Sequence, residues 1–282
     1  MDRMMTRRIA AGALALSLLV GGGVLAGCGS SSSSSETAAQ TAANPPDMPA
    51  NSIEALPATE ILAKSQATAK AASSVTVKGT ITEGGVESSL DLVLGTNASE
   101  GTITSNGVEL SIVFVDGKSY FKVSRDGWAT LLGSGGAEGK AAGKEIDGLI
   151  GDRWLSLPAD PGSLDDAGGV LGVMLSALSG LFQKDTLLES LLSPEGGATV
   201  KGTGDANGTP VVFLEDAKGK DTLAIQTVGE PYPVQVKGAG GPGSDAVTFT
   251  NWNAPVNVTA PTDVVDISEL VKREATPLVS PM

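Results

Sequence analysis

Hydrophobic and polar side chains alternate with a period of two along most of the chain beyond residue 74. The alternation is clear at 75–83, at 88–95 and over VELSIVFVDGKSYFKV at 108–123. Within that last segment Asp116-Gly117 has strand-like flanks, which is a strong signal for a tight hairpin turn. We therefore expect four successive antiparallel strands here and five further strands between residues 198 and 252.

Two segments have the pattern of helices instead. ATEILAKSQATAKAASS predicts a helix that begins near Thr59 and ends by Ser73 or Ser74. Residues 168–192 are apolar almost all round as far as Lys184, so this second helix must be buried against an apolar surface. Residues 133–150, rich in glycine, alanine, lysine and glutamate, predict a flexible excursion. The order helix, strands, helix, strands indicates an α+β protein in which a curved antiparallel sheet carries helices on one face.

The apolar faces of the strands and of the middle helix are predicted to meet. If the sheet curls with its apolar face inward, alternate residues of 88–95 and 108–115 point into the concavity. Two explanations stay open: an ordinary packed core, or a cavity that takes acyl chains behind a movable helix. On the cavity hypothesis the lining consists of Leu90, Leu92, Leu94, Leu110, Ile112, Phe114, Val173, Met174, Leu178, Leu181 and Phe182.

The first 28 residues have the pattern of an export signal. Arginines precede an uncharged apolar segment from Ile9 to Gly27 that ends in small residues, as in a secretory signal peptide. Leu25-Ala26-Gly27-Cys28 resembles the lipobox of bacterial lipoproteins. The resemblance implies removal of residues 1–27 and attachment of diacylglycerol and palmitate at Cys28, enough acyl chains for stable anchoring. The alternative is a plain signal peptide with an incidental cysteine.

Three further parts are predicted after the signal peptide. Residues 28–56 consist largely of serine, threonine, alanine, asparagine and proline, with little to bury, and predict a disordered tether. Residues 57–270 contain all the predicted helices and strands and form one domain. Residues 271–282 are expected to be a flexible tail.

Composition limits the chemistry that the chain can perform. The net charge is −13, and loss of residues 1–27 makes it −15 because three arginines and one aspartate are removed. Such a surface repels nucleic acid and anionic lipid head groups. The absence of histidine excludes Ser-His-Asp and Cys-His catalysis and the common zinc sites. We predict no catalytic residue, no metal site and no cofactor, and so a protein that is not an enzyme.

Three weaker patterns are better explained by structure than by chemistry. Lys140 and Lys144 lack the leading glycine and the following serine or threonine of a phosphate-binding loop. The aspartates of 159–169 lack the spacing of a calcium loop and fit a turn before a helix. Stacking on sugar is less plausible than strand-end packing for the tryptophans at 128, 154 and 252.

Taken together, the motifs resemble the mycobacterial LppX/LprG-type envelope lipoproteins. The pieces that carry the resemblance are the lipobox, the tether, the two helices, VDGKSYFKV at 115–123 and VTFTNWNAPVNVTAPTDVVD at 247–266. The resemblance implies a half-barrel, similar to the lipoprotein-carrier fold, whose concave face and helices enclose an apolar cavity. Residues 133–150 depart from the family's pattern as an insertion.

The same resemblance implies a function. It predicts a lipoprotein that is anchored by its acyl chains to the outer face of the cytoplasmic membrane. It would bind an acylated lipid or lipoglycan and carry it across the envelope, with a lipid-export membrane protein as a possible partner. The alternative is a surface scaffold or signalling lipoprotein with a solid core that binds another protein.

Overall fold

The computed structural model describes residues 48–83, 85–133, 136–157, 183–194, 196–238 and 245–266. The predicted signal peptide, Cys28, the tether before residue 48, most of the apolar helix and the tail lie outside the described residues. The helices are a 3-10 turn at Ile53–Ala55, α1 Ala58–Ala71, α2 Gly127–Leu132, α3 Gly136–Ile150 and α4 Lys184–Leu191. The strands are β1 Ser74–Glu83, β2 Val86–Gly95, β3 Ala98–Ser105, β4 Val108–Val115, β5 Lys118–Val123, β6 Trp154–Leu157, β7 Ala198–Ala206, β8 Thr209–Asp216, β9 Asp221–Gln226, β10 Pro233–Gly238, β11 Ala246–Thr250 and β12 Val264–Asp266.

All twelve of these strands belong to one sheet. Their order is β12-β6-β5-β4-β3-β2-β1-β11-β10-β9-β8-β7. Every neighbouring pair is antiparallel except β12 and β6, which run parallel. Strand β1 joins the two halves, since it pairs with β2 on one side and with β11 on the other. The predicted α+β class with a long antiparallel sheet is confirmed.

The predicted hairpin at Asp116-Gly117 is present between β4 and β5. Both residues have positive φ angles, 53° and 72°, which is the geometry of a type I′ turn and matches the right-handed twist of the flanking strands. Val115 consequently pairs with Lys118 directly across the turn. The sequence pattern therefore fixes the register of this hairpin.

Residues 74–123 form five strands, β1 to β5, whereas four were predicted. The prediction missed β3. Only Ile103 is large and apolar among its inner-face positions, which also include Ser99 and Gly101, so the alternation is weak. Gly101 has φ 155°, and an added Cβ would lie 2.7 Å from Leu92 Cα on β2. A side chain at this position would collide with the backbone of β2, which explains why glycine stands here.

The prediction of a flexible excursion at 133–150 is also wrong, because α3 occupies Gly136–Ile150. The glycines that suggested flexibility allow close packing on α2. An added Cβ at Gly143 would lie 2.5 Å from both Ala129 Cα and Trp128 O. The carboxylate of Asp147 accepts hydrogen bonds from the backbone N–H groups of Trp128 and Ala129, at 3.4 and 3.2 Å. Helix α3 thus caps the first turn of α2.

The predicted tether is not disordered as far as residue 56. Residues 48–56 contact the domain at the turn between β9 and β10, where Ala50 forms an isolated bridge with Val228. The Asn51 side chain donates hydrogen bonds to Gln226 O and Gly229 O, at 3.2 and 3.0 Å. Ile53 is only 2 % exposed and belongs to the core. A single buried isoleucine within a polar stretch is a weak sequence signal. Ordered contacts with the domain therefore begin before residue 57, where the domain was predicted to start.

The main apolar core lies between the sheet and the helices, and a smaller cluster of Ala206, Val211, Ala224 and Val234 lies apart from it. The main core combines alternate residues from the inner face of nearly every strand with Ile61 of α1, Trp128 of α2, and Leu187 and Leu188 of α4. Helix α1 contacts β7, β10 and α4, while α2 contacts β4 and α3. The helices therefore cover the concave face of a curved sheet, which is the predicted half-barrel architecture.

Candidate functional site

The six predicted lining residues of the strands lie on one face of the sheet. Five of them are 1–7 % exposed, Phe114 is half-buried, and all pack in the same core. The backbone at Leu92 leaves no room for a side chain on Gly101 opposite. The strand register arranges them in three rows across β2, β3 and β4: Leu90, Ile103 and Leu110; Leu92, Gly101 and Ile112; Leu94, Ser99 and Phe114.

Their role in lipid binding stays a prediction. The helix residues that were predicted to close the same space lie outside the described residues, namely Val173, Met174, Leu178, Leu181 and Phe182. Of the two cavities described below, neither is lined by any of the six strand residues.

A cavity of about 220 Å³ lies under the C-terminal end of α4, in the other half of the sheet. Its floor is formed by inner-face residues of β1 and β8–β11, and its wall by the chain that leaves α4. The residues that line it are Ile81, Ser190, Leu191, Leu192, Ser193, Pro194, Ala198, Leu214, Glu215, Asp216, Asp221, Thr222, Leu223, Val236, Gly238, Asp245, Ala246 and Val247.

The floor of this cavity is apolar, and its rim is acidic. Leu214 and Val247 are each 2 % exposed. On the rim, the Asp245 carboxylate accepts hydrogen bonds from the backbone N–H and the hydroxyl of Thr82, both at 2.7 Å. These bonds hold the end of β1 against the start of β11. The cavity therefore offers an apolar interior under an entrance with negative charge.

A second rim carboxylate, Asp216, closes the turn between β8 and β9. It accepts hydrogen bonds from the backbone N–H groups of Lys220 and Asp221, at 2.7 and 3.3 Å. Burial is the largest single effect and raises the pKa of Asp216. The hydrogen bonds and the charge of Lys218 together outweigh it, so the net pKa is lowered. Asp216 is thus a charged structural group of the turn.

Helix α4 is held against α1 at both ends. The Lys184 side chain is 4 % exposed, and its ammonium group donates to the carbonyls of Ala69 and Lys70 at the end of α1, at 3.3 and 3.0 Å. Gln66 Nε2 donates to Leu192 O at 2.9 Å. Lysine at a helix C-terminus satisfies free carbonyls and complements the helix dipole. The two helices therefore form one antiparallel unit beside the cavity.

A groove of about 280 Å³ runs along the outer side of this helix pair. Its floor is Leu188 and Leu192, which are 3 % and 2 % exposed. Its remaining lining is polar and consists of Gln66, Lys70, Asp185, Glu189 and Ser193.

The strand residues predicted to line the site lie in one half of the sheet, and the cavity under α4 lies in the other half. The alternation of β8–β11 was recognised, but the large apolar residues that alternate along β2 and β4 were chosen as the lining. Leu214, Leu223, Val236 and Val247 occupy alternate positions of four strands and could have been proposed from the same period. The contribution of α4 could not have been proposed from the sequence, because contact between α4 and the sheet depends on tertiary packing.

Two of the three aromatic candidates are accounted for by packing. Trp128 is 2 % exposed in the core. Trp252 stacks on Tyr232 with ring centroids 4.7 Å apart, and its indole N–H donates to Pro233 O at 3.2 Å. Trp154 is half-buried in β6. Packing therefore accounts for Trp128 and Trp252, and the role of Trp154 at the strand end stays a prediction.

The two lysines that were compared with a phosphate-binding loop, Lys140 and Lys144, are exposed on α3.

Metal-binding clusters and membrane-crossing helices are both absent from the described ranges of the chain. Within them, no group of three or more histidine, cysteine, aspartate or glutamate residues is arranged to hold a metal ion. No helix in that part of the chain combines the length and apolarity needed to cross a membrane.

The chain has the α+β fold of a curved, largely antiparallel sheet with helices on its concave face, and two solved structures are similar to it. LprF from Mycobacterium bovis shares 17 % identity over 72 % of this chain and 96 % of its own, with a TM-score of 0.40. The Mycobacterium tuberculosis lipoprotein LppX shares 19 % identity over 71 % of this chain and 99 % of its own, with a TM-score of 0.38. Both are proteins of the kind that the sequence resemblance named. No family model and no curated protein matches the chain.

Proposed function

We propose that this protein binds an acylated lipid or lipoglycan between its helices and the concave face of its sheet. The observation that carries the proposal is the cavity under α4. Its floor is built from inner-face side chains of five strands, and a pocket of this composition is suited to an acyl chain. Each methylene group removed from water contributes about 0.8 kcal/mol, so even a short buried segment of chain stabilises a complex.

The proposal includes anchoring and transport. Cys28 is acylated after removal of residues 1–27, and the acyl chains hold the domain at the outer face of the cytoplasmic membrane. The domain shields the lipid from water while it crosses the envelope, and a lipid-export membrane protein supplies the cargo. No catalytic step, metal or cofactor is involved.

Transfer between vesicles tests the carrier function. A pyrene-labelled diacyl lipid is placed in phosphatidylcholine donor vesicles, and its arrival in unlabelled acceptor vesicles is followed by the loss of excimer fluorescence. We expect the exported Cys28→Ser protein to accelerate transfer in proportion to its concentration. A transfer rate equal to that of vesicles alone would contradict the carrier function.

The location is tested separately at the N-terminus. Mass spectrometry of protein extracted from membranes should show Cys28 as the first residue, carrying acyl chains, and Cys28→Ser should move the protein to the soluble fraction. An unmodified Cys28 or an intact residue 1–27 segment would contradict the anchor.

One observation favours the alternative, a scaffold lipoprotein with a solid core. Around β2 and β3 the packing is tight, with Leu92 2 % exposed opposite Gly101. Leu92 does not line the cavity under α4, so Leu92→Trp tests a separate point, namely whether the predicted lining on β2 and β4 is a solid core or a cavity wall. In a solid core it overpacks and destabilises by about 1–3 kcal/mol. In a cavity wall it leaves the unfolding temperature nearly unchanged and removes lipid uptake.

A further inference from the structure

The cavity under α4 and the groove outside it share a wall. Leu192 and Ser193, at the end of α4, line both spaces. Leu192 is 2 % exposed, whereas Ser193 is exposed. Among the described residues, Leu192 and Ser193 are therefore the part of the chain that borders both the apolar interior and the outer groove.

The two volumes are each small for a ligand site. They are about 220 and 280 Å³, whereas sites for small molecules hold about 300–1,000 Å³. Joined across Ser193, they hold about 500 Å³, which falls inside that range. The volumes favour one elongated site over two separate ones.

The two sides of the wall differ in chemistry. On the inside, Leu214, Leu223 and Val247 make an apolar floor. On the outside, Lys70 of α1 lies across the groove from Asp185 and Glu189 of α4, and all three side chains are exposed. Lys70 has no salt bridge to any carboxylate of the described residues, while Asp185 accepts a hydrogen bond from Lys184 at 2.7 Å. The groove thus presents one cation beside two carboxylates.

We propose that the cavity and the groove form a single site for an acylated amphiphile, with one acyl chain inside and the head group between α1 and α4. The charges of the groove match a head group that carries both a negative or acceptor group, for Lys70, and a positive or donor group, for Glu189. A zwitterionic or a polyhydroxylated head group has this chemistry. The site rests on the proposed function and specifies its ligand.

The experiment measures binding of three single-chain probes by isothermal titration calorimetry below their critical micelle concentrations. The probes are palmitoyl lysophosphatidylcholine, which is zwitterionic, dodecyl maltoside, which is polyhydroxylated, and palmitate, which is only anionic. The protein is the exported Cys28→Ser chain. We expect binding of one or both of the first two and weaker binding of palmitate.

Two substitutions test the position of the probe. Ser193→Trp places a large ring in the shared wall, and Thr186→Trp is its control, since Thr186 is exposed on α4 but lines neither space. Lys70→Glu reverses the cation of the groove, and Lys64→Glu is its control on the same helix, outside the lining. Loss of one charge-assisted hydrogen bond corresponds to about tenfold weaker binding or more.

The outcomes distinguish this site from the general function. About tenfold weaker binding in Ser193→Trp and in Lys70→Glu, with both controls within about twofold of the parent and all unfolding temperatures alike, supports the site. Probe binding that neither substitution changes overturns the site and leaves lipid binding elsewhere intact. Failure of the parent protein to bind any acyl probe overturns the proposed function and this site with it.

Discussion

Replacing Gly143 by alanine places a methyl group in the contact between α3 and α2. Its Cβ would lie 2.5 Å from Ala129 Cα and from Trp128 O, and both are backbone atoms that cannot rotate away. Overpacking of this kind costs about 1–3 kcal/mol, while the higher helix propensity of alanine contributes about 1 kcal/mol in the opposite direction. We expect a net loss of up to about 2 kcal/mol in the free energy of unfolding.

Gly148 provides the matched control on the same helix. No atom lies within 4 Å of a Cβ added there, so only propensity acts, and Gly148→Ala should stabilise by about 0.5–1 kcal/mol. Urea unfolding followed by tryptophan fluorescence measures both variants. If Gly143→Ala stabilises the protein as much as Gly148→Ala does, α3 does not pack on α2.

Three further predictions follow from the site. Lys184→Met removes charge-assisted hydrogen bonds to two carbonyls of α1 and should lower the urea-derived free energy of unfolding by about 1.5–3 kcal/mol; an equal effect of Lys64→Met, at an exposed position, would refute this role. Val236→Trp fills the cavity and should abolish lipid uptake with little change in unfolding temperature, whereas Lys237→Trp, which lines neither cavity, should leave uptake intact. Because the pKa of Asp216 is lowered in the folded protein, its stabilisation is complete above the unfolded value of 3.8 and is lost as the pH falls through the folded value. The difference in urea stability between the parent and Asp216→Asn should therefore shrink below pH 3.8, and a difference that grows there would contradict the shift.

Period-two alternation predicted the strands reliably where the inner face carries large side chains. Val75 and Val77 of β1 and Leu90, Leu92 and Leu94 of β2 occupy the buried positions that the pattern assigned to them. Strand β3 was missed because its inner face carries Ser99 and Gly101 beside only one large apolar residue, Ile103, and Gly101 is needed where the backbones approach closely. Alternation therefore detects strands by the large side chains that they bury, and it fails where small residues occupy the inner face.

A glycine can mark either a tight turn or a close contact between two helices, and the sequence does not distinguish these two roles. In Asp116-Gly117 it marked a turn, and the structure has a turn. In α3 the glycines at 139 and 143 lie on one helical face and accommodate α2, with an added Cβ at Gly139 blocked by the carbonyl of Leu132. The position of a second helix decides which role a glycine has. That position depends on tertiary packing and cannot be read from the neighbouring residues. The same limit applies to the cavity, because its wall comes from α4.

The most direct test of lipid binding is native mass spectrometry of the exported Cys28→Ser protein, produced in a lipid-rich bacterium and purified without detergent. We predict a mass excess that corresponds to one acylated lipid per protein. This excess should be lost on organic extraction and should be absent in Val236→Trp. A parent protein that carries no lipid and takes up none when acylated lipid is supplied would contradict the proposed lipid binding.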